Sequence, residues 1–202
     1  MNRIFTSLAA VGLALAVYAA EGETSVAGTP LRVIPIPENI ELEQGVFTVP
    51  EQGMTCYIEG EQTEQLTGYL EQGPLKWIPV EKAGKADVVI KIADKKPRKG
   101  EAEDGRTAEG YSLQITPKRI TIRAAGEAGA FYALQTLLQM TEEGRNRRLV
   151  CCTVDDRPRF AYRGLHFDVS RHFRSKEFLM KQMDAMALLK LNKMHLHLTN
   201  GT

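Results

Sequence analysis

The feature that most constrains the fold is a strand–helix–strand pattern near the end of the 202-residue chain. Residues 162–169 and 194–199 have the apolar runs and alternation of strands, and the segment between them has helical spacing. A connection of this length predicts a βαβ unit with parallel strands and a right-handed crossover. One helix cannot cover both faces of a parallel pair, so we expect the unit to begin a larger sheet or barrel.

The helix of this unit has a recognisable start. Ser175 predicts its N-cap, because a serine hydroxyl accepts from a free backbone N–H of the first turn, and Glu177 suits the positive helix end. The expected apolar stripe consists of Leu179, Met183, Met186 and Leu189.

The residues before this unit predict a separate α+β domain, with a mixed sheet and helices, over about 31–154. Short apolar runs indicate strands, alternation on both sides of a Thr-Pro-Lys-Arg turn indicates a hairpin, and longer segments indicate two helices. The predicted strands cover 32–36, 46–49, 55–58, 87–93, 111–115 and 120–122, and the predicted helices cover 62–72 and a segment that opens at 126–129 and ends before Gly144. Residues 95–106 are charged and glycine-rich and predict a loop, and residues 155–159 predict a charged, proline-containing linker to the barrel segment 159–202.

The first twenty residues predict a signal peptide. Arg3 supplies a short positive region, residues 8–17 are apolar and uncharged, and Ala19 and Ala20 give small residues at the exit. The apolar run is too short to span a bilayer, which needs roughly 20 residues. We therefore expect an exported protein, periplasmic or extracellular, whose mature form begins near Ala20 and has no membrane association.

Charge and cysteine content exclude some classes of function. The formal net charge is +1, so no strong field favours nucleic acid or anionic lipid as a partner. The three cysteines Cys56, Cys151 and Cys152 do not make a disulfide framework or a zinc site. A bridge from Cys56 to one of the neighbouring pair stays open, and burial as small apolar residues is the favoured interpretation. No cofactor is expected.

Polar residues are concentrated where each strand of the βαβ unit ends. Residues 168–173 follow the first strand, and residues 195–200 close the second. In a parallel α/β barrel, functional side chains lie at the carboxyl ends of the strands. These two segments are therefore the candidate functional site.

Four separated segments make the chain similar to the family 20 glycoside hydrolases, the β-N-acetylhexosaminidases. The opening barrel strand and loop of that family resemble YRGLHFDVSRHF at 162–173, and its second strand resembles LNKMHLHLT at 191–199. Its accessory domain resembles VIPIP at 33–37 and GAFYALQTLLQM at 129–140. The resemblance implies an α+β accessory domain followed by the first βαβ unit of a truncated (β/α)8 TIM barrel.

The resemblance implies an exo-acting enzyme that removes terminal β-linked N-acetylglucosamine or N-acetylgalactosamine from glycans. The family retains configuration through the substrate's own acetamido oxygen, an exception to the two-carboxylate rule. A glutamate protonates the leaving oxygen and an aspartate orients the acetamido group. This Asp–Glu pair follows the fourth strand, beyond Thr202, so we expect this polypeptide to be an inactive N-terminal fragment without catalytic residues.

The resemblance assigns one substrate contact within the chain. Arg171 matches the arginine that binds outer hydroxyls of the terminal sugar, and a guanidinium offers several fixed donors for two adjacent hydroxyls. Asp168, His172, His197 and Asn200 match positions that support this loop or the acid. Arg163 is expected to form an ion pair at the barrel floor rather than to bind a ligand.

Asn200 departs from the family pattern, which commonly has aspartate there. In the family, that carboxylate belongs to a network that tunes the acid. Asparagine keeps the size but loses the charge, and a missing negative charge is expected to lower the pKa of a nearby acid.

Two other functions stay open. His195 and His197 place two imidazoles on one strand face, as in metal-dependent barrel hydrolases, although no third ligand is evident at matching spacing. The second alternative is a non-catalytic exported glycan-binding protein, built from the α+β domain with a short tail. A complete barrel needs roughly 250 residues, far more than follow Pro158.

Overall fold

The computed structural model describes residues 33–60, 64–93, 108–143 and 147–199. The predictions for the signal peptide, for the loop at 95–106 and for Asn200 lie outside these residues. Within them, no helix combines the length and the apolar character that crossing a membrane requires.

The accessory region of the described residues is a mixed seven-stranded sheet in the order β1-β7-β5-β6-β4-β2-β3. Antiparallel pairs join β1, β7, β5 and β6, and parallel pairs join β6, β4, β2 and β3. The strands are β1 Asn39–Thr48, β2 Met54–Glu59, β3 Trp77–Pro79, β4 Val88–Ile92, β5 Tyr111–Ile115, β6 Ile120–Ala124 and β7 Arg148–Asp156. The mixed sheet predicted from the sequence is confirmed.

The centre of the sheet is built from the segments with the clearest sequence patterns. The predicted hairpin is confirmed, with Leu113 paired to Ile122, and both side chains are fully buried. Its turn closes where the Thr116 hydroxyl donates to the Arg119 carbonyl at 2.7 Å. β4 carries the uninterrupted apolar run and lies between β6 and β2, as its burial requires.

Two helices of the accessory region pack near this sheet, α1 Glu64–Gln72 and α2 Glu127–Glu143, and a short 3₁₀ helix covers Ala83–Lys85. α2 contacts β4, β5, β6 and β7, and also contacts the helix of the βαβ unit. The stretch from Tyr132 to Met140 is therefore buried without interruption. The polar side chains in this stretch have partners: Gln135 donates to the Tyr69 hydroxyl, and Gln139 bonds the backbone of Ile34.

The second region is the predicted βαβ unit: β8 Gly164–Asp168, α3 Lys176–Leu188 and β9 Lys193–His197. β8 and β9 are parallel, with Leu165 opposite Met194. The Ser175 hydroxyl accepts from the Phe178 N–H at 3.3 Å, so the predicted N-cap is confirmed. The fold class is thus an α+β domain followed by the start of a parallel barrel.

Three sequence predictions about the accessory region need correction. Residues 33–38 form no strand; Val33 is buried, and Ile34 bonds to Gln139 instead of to a neighbouring strand. β1 is longer than the predicted 46–49, because it runs along the edge of the sheet against β7, where the polar residues of its first half face solvent. Asp155 and Asp156, predicted as linker, are the last residues of β7 and pair with Ser112 and Tyr111.

Candidate functional site

The carboxyl ends of β8 and β9 bring the two predicted polar segments side by side. Asp168 is the last residue of β8, and it lies opposite His197, the last residue of β9. One further backbone hydrogen bond, from the Val169 N–H to the His197 carbonyl at 3.1 Å, continues the pairing past the strand ends. We call this end of the pair the mouth.

Asp168 organises the loop at the mouth. Its Oδ1 accepts from the backbone N–H groups of Ser170 and Arg171, both at 3.0 Å, which closes an Asx turn. The Arg171 backbone bond is the main reason why the pKa of Asp168 lies below its usual range, with smaller contributions from the charges of His197 and Arg171. Asp168 is therefore an ionised hydrogen-bond acceptor that fixes the course of the loop.

Arg171 projects from this loop into solvent. Its side chain is 75% exposed, and its Nε lies 3.6 Å from Oδ2 of Asp168. At that distance, in water, the pair contributes little to stability. Asp168 therefore fixes the backbone at Arg171, and most donors of the exposed guanidinium stay available to a ligand. His172 and Phe173 follow it in the loop and are also exposed.

Three imidazoles share one face of the strand pair. His166 lies opposite His195, with ring centroids 4.6 Å apart, and the His166 and His197 rings are 6.5 Å apart and nearly perpendicular. His195 and His197 are the candidate metal ligands of the alternative metal-dependent function. Among the residues that the structure describes, no group of three or more His, Cys, Asp or Glu side chains is arranged to hold a metal ion.

The amino ends of β8 and β9, which we call the floor, carry an ion pair that the sequence analysis expected. Nη2 of Arg163 donates to Oε2 of Glu109 at 2.6 Å, with both side chains mostly buried. Arg163 also donates to the carbonyls of Lys190 and Phe160, and Asn192 bonds both Glu109 and the Arg163 backbone. The predicted floor ion pair of Arg163 is confirmed.

A second floor ion pair was missed from the sequence. Nζ of Lys190 donates to Oδ2 of Asp156 at 2.7 Å and to the Tyr111 hydroxyl at 2.8 Å, and it also lies 5.0 Å from the Tyr111 ring centroid. The Tyr111 hydroxyl in turn bonds Asp156 and Thr136. Lys190 and Asp156 are 7% and 12% exposed, which makes this the most deeply buried ion pair of the described residues.

The environment of Lys190 is costly for a cation. Burial lowers the pKa of Lys190, and the Asp156 carboxylate opposes that shift. Burial also raises the pKa of Tyr111, so its hydroxyl stays protonated. Lys190 has φ 58, a left-handed conformation that ends α3 and turns its side chain toward the sheet. A lysine after a helix gives no sequence signal for such burial, because lysine is ordinarily exposed.

A cavity of about 730 Å³ lies at the floor. Its walls include Glu109, Asp156, Arg163 and Lys190, whose charges are already paired with one another. The charges of these four residues are therefore compensated within the protein. A barrel active site is assembled from eight loops at the mouth, and the described residues supply two of them.

The fold defines a class of protein: a mixed-sheet domain followed by the βαβ unit with which a parallel α/β structure begins. Residues 30–157 match the description "Glycosyl hydrolase family 20, domain 2", and residues 160–202 match "Glycosyl hydrolase family 20, catalytic domain". The chain belongs to glycosyl hydrolase family 20, and it comprises domain 2 and the start of the catalytic domain.

Individual relatives agree with this assignment. The chain is 38% identical over 119 residues to beta-hexosaminidase B of Pseudoalteromonas piscicida, which covers 59% of this chain and 14% of that protein. It is 29% identical over 174 residues to a beta-hexosaminidase of Vibrio furnissii, covering 84% of this chain and 26% of that protein. A solved beta-N-acetylhexosaminidase of Bacteroides fragilis superposes with a TM-score of 0.69 at 26% identity, covering 84% of this chain and 33% of that chain.

A second solved structure is the exo beta-N-acetylglucosaminidase of Vibrio harveyi in complex with N-acetylglucosamine. It superposes with a TM-score of 0.65 at 26% identity, covering 83% of this chain and 25% of that chain. The chain thus spans about a third or less of the lengths of these relatives.

Proposed function

We propose that the whole protein to which this chain belongs is an exo-acting β-N-acetylhexosaminidase that removes terminal β-linked N-acetylglucosamine or N-acetylgalactosamine. The observation that carries the proposal is the loop at the mouth, where an ionised Asp168 holds the backbone of an exposed Arg171 beside the end of β9. Family membership and the sugar in the Vibrio harveyi complex support the same substrate class.

In this proposal Arg171 binds the outer hydroxyls of the terminal sugar. A guanidinium has five donors in a fixed plane, so one side chain can bond two adjacent hydroxyls. Asp168 holds the loop by accepting hydrogen bonds from backbone N–H groups. The Arg171 side chain beside it stays exposed to solvent. His172, His197 and Asn200 are proposed to support the same loop and the acid group.

Hydrolysis is proposed to be retaining and substrate-assisted, with the acetamido oxygen attacking the anomeric carbon. Glutamate would protonate the leaving oxygen, and a neighbouring aspartate would orient the acetamido group. We place this Asp–Glu pair after the fourth barrel strand, outside residues 1–202. The 202-residue polypeptide is therefore expected to show no turnover.

The test is kinetic and uses the whole protein with a chromogenic N-acetylglucosaminide. Arg171→Ala should lower kcat/KM by about 10- to 100-fold, because hydrogen bonds to charged groups contribute about 1.5–3 kcal/mol. Arg174→Ala is the matched control: Arg174 is three residues further along, packs 5.2 Å over the Phe178 ring, and should change kcat/KM little.

Three results would overturn the proposal. The first is a whole protein that binds N-acetylhexosamine glycans without cleaving them, which would favour the glycan-binding alternative. The second is turnover that is insensitive to a thiazoline analogue of the cyclised intermediate, because a substrate-assisted enzyme should bind such an analogue tightly. Turnover that requires added zinc would favour the metal-dependent alternative with His195 and His197.

We further propose export to the periplasm or the extracellular space. The support is the pattern of residues 1–20, with a short positive region, an apolar run and small residues at the exit. N-terminal sequencing of protein from fractionated cells should give a start near Ala20. An intact Met1 on the mature cytoplasmic protein would contradict export.

A further inference from the structure

We propose that Lys190 and Arg163 are positioning residues: by anchoring the floor of β8 and β9 to the accessory sheet, their two buried ion pairs fix where Asp168 and Arg171 lie at the mouth. This inference rests on the proposed function, since it gives the accessory domain a role in substrate binding. Neither side chain is expected to touch the sugar.

The two ion pairs join structural elements that are each well fixed. On the accessory side, Asp156 ends β7 and Tyr111 begins β5, and the two residues are partners in the sheet register. Glu109 lies just before β5. On the barrel side, Arg163 directly precedes β8, and Lys190 occupies the turn between α3 and β9. Each barrel strand is therefore held at its amino end by its own anchor.

The geometry of the Lys190 anchor has little freedom. Its ammonium group donates to two acceptors at 2.7 and 2.8 Å in a site with almost no solvent access. A buried charge that leaves its partners loses both hydrogen bonds and solvation, so displaced positions are strongly disfavoured. The ion pair at the mouth, between Arg171 and Asp168, is exposed and cannot impose such a constraint.

A strand connects each anchor to the mouth. β8 runs from Gly164 to Asp168 and β9 from Lys193 to His197, so each spans about 16 Å at about 3.3 Å per residue. Hydrogen bonding along the pair makes the two strands move together. A shift or rotation at the floor is therefore carried to Asp168, and with it to the turn that holds Arg171.

A purely structural role would predict a different behaviour from a positioning role. If the anchors only stabilise the fold, any variant that is fully folded at the assay temperature should bind substrate normally. If they position Arg171, a folded variant without the anchor should bind the sugar less well. Two variants separate these cases, Lys190→Met alone and Lys190→Met combined with Asp156→Asn.

The single variant leaves Asp156 buried without its cation and should destabilise the protein. The double variant removes both charges, and such neutral replacements of buried ion pairs are often neutral in stability. Lys91→Met is the control, since the Lys91–Glu59 pair is equally short at 2.8 Å but about half exposed.

The first measurement uses the 202-residue chain and hydrogen exchange. The Val169 amide bonds the His197 carbonyl at the mouth. In the double variant, the exchange protection factor of this amide should fall at least about tenfold, while the protection of amides in β4, β5 and β6 should not change. Unchanged protection of this amide would overturn the transmission from floor to mouth, whatever the whole protein does in an activity assay.

The second measurement uses the whole protein, with kinetics normalised to the folded fraction. The double variant should raise KM by about tenfold and keep kcat within about twofold of the wild-type value. The reason is that Arg171 is proposed to bind the sugar equally in the ground state and the transition state, and loss of such binding raises KM without lowering kcat. If the double variant regains both the stability and the KM of the wild type, the positioning role is wrong and the proposed function still stands. Absence of activity in the unaltered protein would instead overturn the proposed function.

If neither Lys190 variant folds, Glu109→Gln provides the test, because it weakens the other anchor. This variant must raise KM for the positioning proposal to stand.

Discussion

The two longest helices that the structure describes, α2 and α3, bury their side chains to very different extents. In α2 every residue from Tyr132 to Met140 is buried, because the sheet covers one side and other parts of the fold, α3 among them, cover the rest. In α3 only Met186 is buried, and Met180 and Met183 are 53% and 54% exposed. Similar apolar patterns thus have different outcomes, and the difference lies in how many covering elements each helix has.

The comparison extends to the sheets. The seven-stranded sheet has central residues with no exposure, such as Leu113 and Ile120, whereas Leu165 of β8 is 40% exposed. Among the described residues, β8 pairs with β9, and Phe167 of β8 packs against Phe178 of α3. The βαβ unit consequently depends on polar anchors at the floor, and the accessory sheet depends on its own apolar core.

Thiol chemistry gives the sharpest way to test this difference. Burial raises the pKa of Cys56 and Cys152 to about 12, and Cys151 is also fully buried. A rise from 9.0 to about 12 means about a thousandfold less thiolate at a given pH, and thiolate is the reactive form. Labelling with a chromogenic disulfide at pH 8 should therefore be at least about a thousandfold slower in the native chain than in urea.

The matched control for thiol labelling is a cysteine introduced into the other region. Met183→Cys places a thiol at an exposed position of α3 and should be labelled at nearly the rate of a small-molecule thiol. Equal rates for this cysteine and for Cys56 would mean that the two regions are equally open, contrary to the comparison.

Truncation of one apolar side chain in each helix should show the same contrast in stability. Leu134→Ala removes a fully buried side chain of α2 and should lower the free energy of unfolding by about 3 kcal/mol. Met183→Ala should cost less than about 0.5 kcal/mol, because its side chain is half in solvent. Urea unfolding measures both values. A Met183→Ala cost close to that of Leu134→Ala would show that α3 is covered in solution.

The helix cap of α3 is expected to have a smaller effect. The Ser175 hydroxyl accepts from the Phe178 N–H, so Ser175→Ala should reduce the protection of first-turn amides of α3 by about 1 kcal/mol, or about fivefold. Hydrogen exchange of these amides measures it, with Ser175→Asp as the control that keeps an acceptor. Loss of protection in α2 as well would contradict a local effect.

The sequence predicted best those elements whose pattern is local. Alternation in the hairpin, the apolar run of β4 and the cap at Ser175 each lie within one short segment, and all three are confirmed. The parallel pairing of β8 and β9 was predicted from the helical segment that connects them. Two strands joined through a helix generally pair in parallel with a right-handed crossover. The loop of Asp168 and Arg171 was chosen as a candidate site by a different rule, that functional side chains of a parallel barrel lie at the carboxyl ends of its strands.

The floor anchors illustrate what a single sequence does not show. Lys190 and Asp156 are 34 positions apart, and Asp156 lies in a charged, proline-containing stretch that resembles a linker. The end of β7 and the turn after α3 meet only through tertiary packing. The secondary-structure propensities of their residues do not predict this contact. Arg163 was more accessible to sequence reasoning, because it directly precedes a barrel strand, at the end opposite to the site.

The smallest expected effect concerns the mouth itself. The pKa of Asp168 is lowered mainly by the backbone bond from Arg171, so its ionised form stabilises the folded loop. A carboxyl whose folded pKa is depressed contributes stability above its unfolded pKa of about 3.9, and that contribution is lost as the pH falls through the folded pKa. Wild type should therefore be more stable than Asp168→Asn at pH 6, and the two should converge as the pH falls through the lowered pKa of Asp168.

The control for this pH dependence separates backbone from side chain. Arg171→Ala keeps the backbone N–H that donates to Asp168 and removes only an exposed guanidinium 3.6 Å from the carboxylate. Most of the pH dependence should remain in that background, because the backbone bond is the larger cause. If Arg171→Ala abolishes the pH dependence, the exposed ion pair holds the loop and the Asx turn does not. The mouth would then resemble the floor, because both would depend on paired charges.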